Sequence, residues 1–154
     1  MKRYLFPSLA CTVLAASASA QTLRPELDYA SAAAIRDGCI EWARERQLAV
    51  SVAVFDRHGD LIAAGHMDGA PAAVGEIAQW KGRSAGTMHV ATASTAKWGG
   101  NAPGIANWAG GIPFATDDGA PLGGVGTSGA TSEQDEMCGR AGVVAAGLTA
   151  VEAD

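Results

Sequence analysis

The chain has 154 residues, of which 48% are hydrophobic and 20 are glycine, and its formal charge is −5 at pH 7. That length fits one domain around a single core and leaves no room for a second. The excess of acids argues against a nucleic-acid backbone as partner.

The first segment reads as an export signal. Lys2 and Arg3 are followed by an apolar run from Tyr4 to Ala16 and by Ala18-Ser19-Ala20. A charged start, a short apolar core and a small-residue end predict a secretory signal peptide over residues 1–20, cleaved after Ala20. The run is too short to span a bilayer, which takes roughly 20 apolar residues. Cleavage leaves 9 basic against 16 acidic residues, a charge of −7, and removes Cys11. Residues 21–154 then form the domain, with Cys39 and Cys138 as its cysteines. In an oxidising compartment this pair is a candidate disulfide; two buried thiols are the alternative.

From Pro25 to Arg46 the sequence is Ala-rich, with Leu27, Ile35, Cys39 and Trp42 on one helical face. The alternating, β-branched stretch Ala49 to Phe55 predicts a strand, Asp56 to Asp60 a turn, and Leu61 to Met67 a second strand. Pro71 opens a second helix through Met88, whose apolar stripe carries Lys81. Residues 91–109 read as a long ordered loop with short helical turns, and loops of that length in a compact domain are usually functional. Gly110 to Ala115 and Pro121 to Ser128 predict a second hairpin around Asp117-Asp118-Gly119. Thr131 with Gln134 three residues on supplies a helix cap, and the last helix is expected to run to Ala150. The order helix, hairpin, helix, hairpin, helix predicts an α+β domain, a profilin-like antiparallel sheet flanked by helices.

Several of these segments also form a recognisable set. Val54-Phe55-Asp56 with Gly59, Met67-Asp68-Gly69-Ala70, the helix with Ile77-Ala78 and Lys81, Gly110-Gly111-Ile112-Pro113, the run Gly123 to Ala130, and Asp135-Glu136 occur in order. Together they resemble the haem-degrading family of extracellular haem-binding proteins, over Leu27 to the C-terminus. The resemblance implies a compact α/β fold that forms homo-oligomers, with haem as ligand in some members. It does not fix one activity, because function lives in the site. His66 stands where many relatives have Arg, and Lys81-Gly82 and Ser84-Ala85 replace the usual pairs of the lysine helix. No acidic iron-binding pair of the kind known in the haem sensor is present.

The residues that could carry chemistry are few. Of three histidines, His58 lies in a turn and reads as solvated, whereas His66 ends a strand and His89 ends a helix beside the long loop. Imidazole suits haem iron or proton transfer, so both are candidates, expected to face one pocket. His89 is the candidate axial ligand to the metal, with Met88 and Thr92 beside it; the plain alternative is a helix C-terminal residue favoured by the dipole. His66 with Asp68 is a candidate catalytic pair, the carboxylate orienting the imidazole, although an aspartate before Gly commonly bonds its own backbone. Lys81, on an apolar stripe, needs a partner and points to a ligand carboxylate such as a haem propionate, or to a snorkelling side chain at a subunit boundary. Trp98 and Trp108 are candidates to stack on a flat ligand, or to pack at a subunit interface, where Trp is favoured, and Gly110 and Gly111 are candidates to offer backbone N–H groups. Two functions compete with haem binding: a cofactor-independent enzyme acting on a small organic acid or aromatic compound, and a non-catalytic scaffold. The glycines fit neither a dinucleotide nor a phosphate-loop pattern, and Ser128 lacks the spacing of a nucleophile elbow.

Overall fold

A computed structural model describes residues 22–100 and 102–152, so the expected signal peptide lies outside the described residues. The elements are α1 (Tyr29–Glu45), β1 (Ser51–Asp56), β2 (Leu61–His66), α2 (Val74–Met88), α3 (Thr92–Thr95), β3 (Gly111–Ala115), β4 (Pro121–Ser128), α4 (Ser132–Ala145) and β5 (Thr149–Ala150). The strands form one antiparallel sheet in the order β2-β1-β4-β3-β5. Helices α1 and α4 pack on one face and α2 on the other, with α3 against α2 and β3. The expected α+β domain with a helix-flanked sheet is therefore the fold.

Three helix boundaries differ from the sequence-based expectation, the first being that of α2, which starts at Val74 rather than at Pro71. Helix α1 starts at Tyr29 rather than Pro25, because the Asp28 carboxylate accepts the Ser31 N–H at 2.7 Å and caps it. Helix α4 stops at Ala145 rather than Ala150. Gly147 takes φ +70, its N–H donates to the Val144 carbonyl and that of Leu148 to the Val143 carbonyl, closing the helix and releasing the chain into β5. The α4 start is as expected, with Thr131 and Gln134 forming a reciprocal capping box.

The strand alternation divides the interior into two layers. Val52, Val54, Ile112, Phe114 and Val125 face Ile35, Cys39, Cys138 and Val143 of the two-helix layer. On the other face Ala53 and Phe55 meet Ala78 of α2. Cys39 and Cys138 are joined by a disulfide that ties α1 to α4, so the bridged alternative is the one adopted. These helices approach closely: a Cβ on Gly142 would come within 2.2 Å of the Ile35 carbonyl oxygen.

The glycine-rich strand β4 serves packing. A Cβ on Gly126 would lie 2.0 Å from the Ala78 carbonyl oxygen, and one on Gly124 2.2 Å from the Gly86 nitrogen. Helix α2 thus lies with its backbone directly on β4, with Ala78, Gly82 and Gly86 recurring every fourth residue along the contact. This proximity leaves the α2-side face of the edge strand β2 uncovered, and Ala64 and His66 there are exposed.

Candidate functional site

The two candidate histidines stand at opposite ends of α2, contrary to the expectation of one pocket. A Cβ on Gly75, in the first turn, would lie 3.6 Å from His66 Nδ1, whereas His89 follows the last residue, Met88. At 1.5 Å per residue the helix separates them by about 20 Å.

His89 is the C-cap of α2, in the left-handed region at φ 55 and ψ 33, with its N–H donating to the Ala85 carbonyl. A non-glycine residue takes this conformation uncommonly, histidine more readily than most. It turns the chain sharply into α3 and leaves the imidazole exposed between two clefts. The first, of about 290 Å³, is lined by His89, Val90, Ser94, Lys97, Trp98, Val151 and Glu152. The second, of about 350 Å³, is lined by His89 together with Arg24, Arg57 and Asp118. Arg57 is held by Glu26, and the Thr116 hydroxyl beside Asp118 keeps that carboxyl below its usual range. Trp98 thus shares a cleft with His89, as a stacking residue would.

The other residues expected beside His89 are placed differently. Met88 lines a separate cleft with Arg83, Thr87 and Ile105, because successive helical positions point about 100° apart. Trp108 is exposed and does not share the Trp98 cleft. Thr92 is buried, and its hydroxyl accepts the Gly111 N–H at 2.8 Å, pinning the start of β3. That amide is therefore spent within the fold. Gly110 and Gly111 are both buried, and Cβ atoms there would collide with Lys81 Nζ at 2.8 Å and Thr92 Cγ2 at 2.5 Å. Their smallness admits these two side chains rather than a ligand.

Lys81 has its carboxylate inside the chain. Its Nζ donates to Asp135 Oδ2 at 2.9 Å and to the Thr127 carbonyl at 3.0 Å, with both charged side chains 3% exposed. Lys81 is thus engaged by an internal acid, buried rather than snorkelling at the surface. Asp135 Oδ1 also accepts the Ala130 N–H, and burial pushes the Asp135 carboxyl up, against the pull of Lys81. The buried lysine signalled that an acid was needed, but Asp135 was legible only as a member of the family-like set and not as the partner of Lys81.

His66 is likewise fixed by groups other than the one expected. Its Nδ1 lies 3.0 Å from Ser51 Oγ and its Nε2 3.2 Å from the Ala70 carbonyl. A carbonyl only accepts, so Nε2 carries the proton; in the neutral ring Nδ1 is then an acceptor, and it shares the single Ser51 hydroxyl proton with the Gly65 carbonyl, 3.2 Å from Oγ. Asp68 is exposed on the following turn and orients neither nitrogen. Ser51 was missed because a serine at the start of a strand carries no signal without its cross-strand neighbour.

Among the described residues no group of three or more His, Cys, Asp or Glu is arranged to hold a metal ion. No helix among them is long and apolar enough to cross a membrane.

Comparison with known proteins bears on this arrangement. No curated protein matches the chain. Among solved structures, HbpS is 33% identical with a TM-score of 0.75, the match covering 85% of this chain and 97% of that one. A double mutant of HbpS from Streptomyces reticuli is 30% identical at TM-score 0.73, covering 88% of this chain and 97% of that one. The PduOC:heme complex shares the fold, at 24% identity and TM-score 0.74 over 83% of this chain and 100% of that one. The family model described as haem degrading protein HbpS-like matches residues 27–144, and the chain therefore belongs to that family.

Proposed function

We propose that this protein is exported and binds haem in the cleft at the C-terminal end of α2, with His89 as the axial ligand to iron. The observation that carries the reading is the meeting of His89 and Trp98 in one cleft, walled by Val90 and Val151. That donor set fits the group: an exposed imidazole for iron, a flat aromatic face for the macrocycle, and aliphatic walls. Arg24 and Arg57, which line the second cleft together with His89, suit the propionates in place of Lys81. Bound haem would supply the iron-centred redox and ligand chemistry of the site. His89 would hold it, and Trp98 would shield one face from water.

Family membership and the solved PduOC:heme complex support haem as the ligand. Export is supported by the signal-like residues 1–20 and by the Cys39–Cys138 disulfide, a bond that persists in oxidising compartments. A homo-oligomer is supported by the exposed apolar Met137 and Val144 on α4.

Haemin titration followed by absorbance tests the reading. A saturable Soret shift is expected, strongly weakened in His89→Ala and retained in His66→Ala. No shift, or one unchanged in His89→Ala, overturns the assignment. Loss of the bound Soret band over time with an added reductant reports degradation.

A further inference from the structure

We propose that Ser51 and His66 form a nucleophile and base for hydrolysis of short-chain carboxylic esters, at a site independent of the haem cleft. Ser51 is 4% exposed and faces α2 from the sheet, and His66 lies directly opposite it across the β1–β2 ladder. The contact of 3.0 Å between Ser51 Oγ and His66 Nδ1 is within reach for proton transfer. The Ala70 carbonyl, 3.2 Å from Nε2, fixes the ring and its tautomer, leaving Nδ1 as the acceptor that a general base must present. These are the three parts of an activated serine: nucleophile, base, and a group that orients the base.

Space for a substrate adjoins the pair. A cavity of about 220 Å³ is lined by Ser51, His66, Gly75 and Gln79, and exists because α2 lies over β4 and leaves β2 uncovered. Gly75 keeps it open: a Cβ there would already be 3.7 Å from Ser51 Oγ and 3.6 Å from His66 Nδ1.

The chemistry balances with water as the one co-reactant. Ser51 Oγ bonds to the ester carbonyl carbon as its proton passes to His66 Nδ1. The bond from that carbon to the alkoxy oxygen breaks, and the leaving alcohol takes the proton from the imidazolium. Water then attacks the acyl-serine, giving one proton to Nδ1, which returns it to Ser51 Oγ as the carboxylic acid departs. The Gln79 side chain lines the same cavity and supplies an amide donor for the developing oxyanion.

A fluorophosphonate probe, which traps activated serines, tests this in the full protein by intact mass and peptide mapping. One adduct is expected on Ser51, absent in Ser51→Ala, formed at least tenfold more slowly in His66→Gln, and blocked in Gly75→Leu, whose side chain fills the cavity over the pair. Hydrolysis of p-nitrophenyl butyrate should fall in parallel. Thermal melts establish that each variant is folded, and His89→Ala, which tests the haem site, should label normally. No adduct on the wild-type protein, or labelling of Ser51 at an unchanged rate in folded His66→Gln, overturns the proposal.

Discussion

Lys81 Nζ lies 2.9 Å from Asp135 Oδ2, and this buried ion pair joins the middle of α2, on one face of the sheet, to the first turn of α4, on the other. The lysine passes the ends of β3 and β4, where Gly110 makes room and the Thr127 carbonyl takes a second N–H. Removing one partner leaves the other charged and buried. Lys81→Met or Asp135→Leu alone is therefore expected to cost about 3–5 kcal/mol in urea unfolding, whereas the double substitution should recover most of the loss.

The same pair sets a pH dependence. Burial raises the folded-state affinity of Asp135 for a proton above that of the unfolded chain, whose ordinary value is 3.8. Its titration therefore contributes stability below that value, and the contribution is lost as pH rises through the folded-state value. Stability of the wild-type protein relative to Asp135→Asn should decline over that window and level off above it, as read by denaturant melts across the acidic range.

The Cys39–Cys138 bridge closes a sequence separation of 99 residues. A loop of that size should contribute about 4–5 kcal/mol by constraining the unfolded chain. Thermal unfolding with and without reductant should show a large drop in Tm, and alkylation of the native protein should leave Cys39 and Cys138 unmodified.

The seat of α2 on β4 has no room for side chains. Gly126→Ala places a methyl carbon 2.0 Å from the Ala78 carbonyl oxygen, so helix and strand must part. A loss of about 3 kcal/mol is expected from overpacking, larger than for Gly119→Ala in the exposed β3–β4 turn, where no atom lies within 4 Å of the added carbon and only the backbone at φ +85 opposes it. Denaturant midpoints of the two variants check the contrast.

Trp98→Ala should weaken haemin binding about two- to tenfold, the range of one aromatic stacking contact. Trp108→Ala, outside the His89 cleft, should leave the titration unchanged, so equal effects of the two would count against the proposed face.

The sequence by itself determined the order of elements as far as α4 and most of their bounds, while β5 was hidden in the expected last helix. Alternation in residues 49–55, the apolar stripe of α2 and the Thr131–Gln134 box are local signals, carried by neighbours two to four residues apart. It also narrowed Cys39 and Cys138 to a choice between bridge and thiols. Only the tertiary structure decided the partners. Sheet order placed Asp135 beside Lys81, 54 positions away, and turned an expected propionate contact into an internal ion pair. The straight run of α2 parted His66 from His89, while the pairing of β1 with β2 gave His66 a serine instead of Asp68. Local periodicity records which face of an element is apolar; which side chains meet across layers depends on strand order and helix placement, which no short window contains.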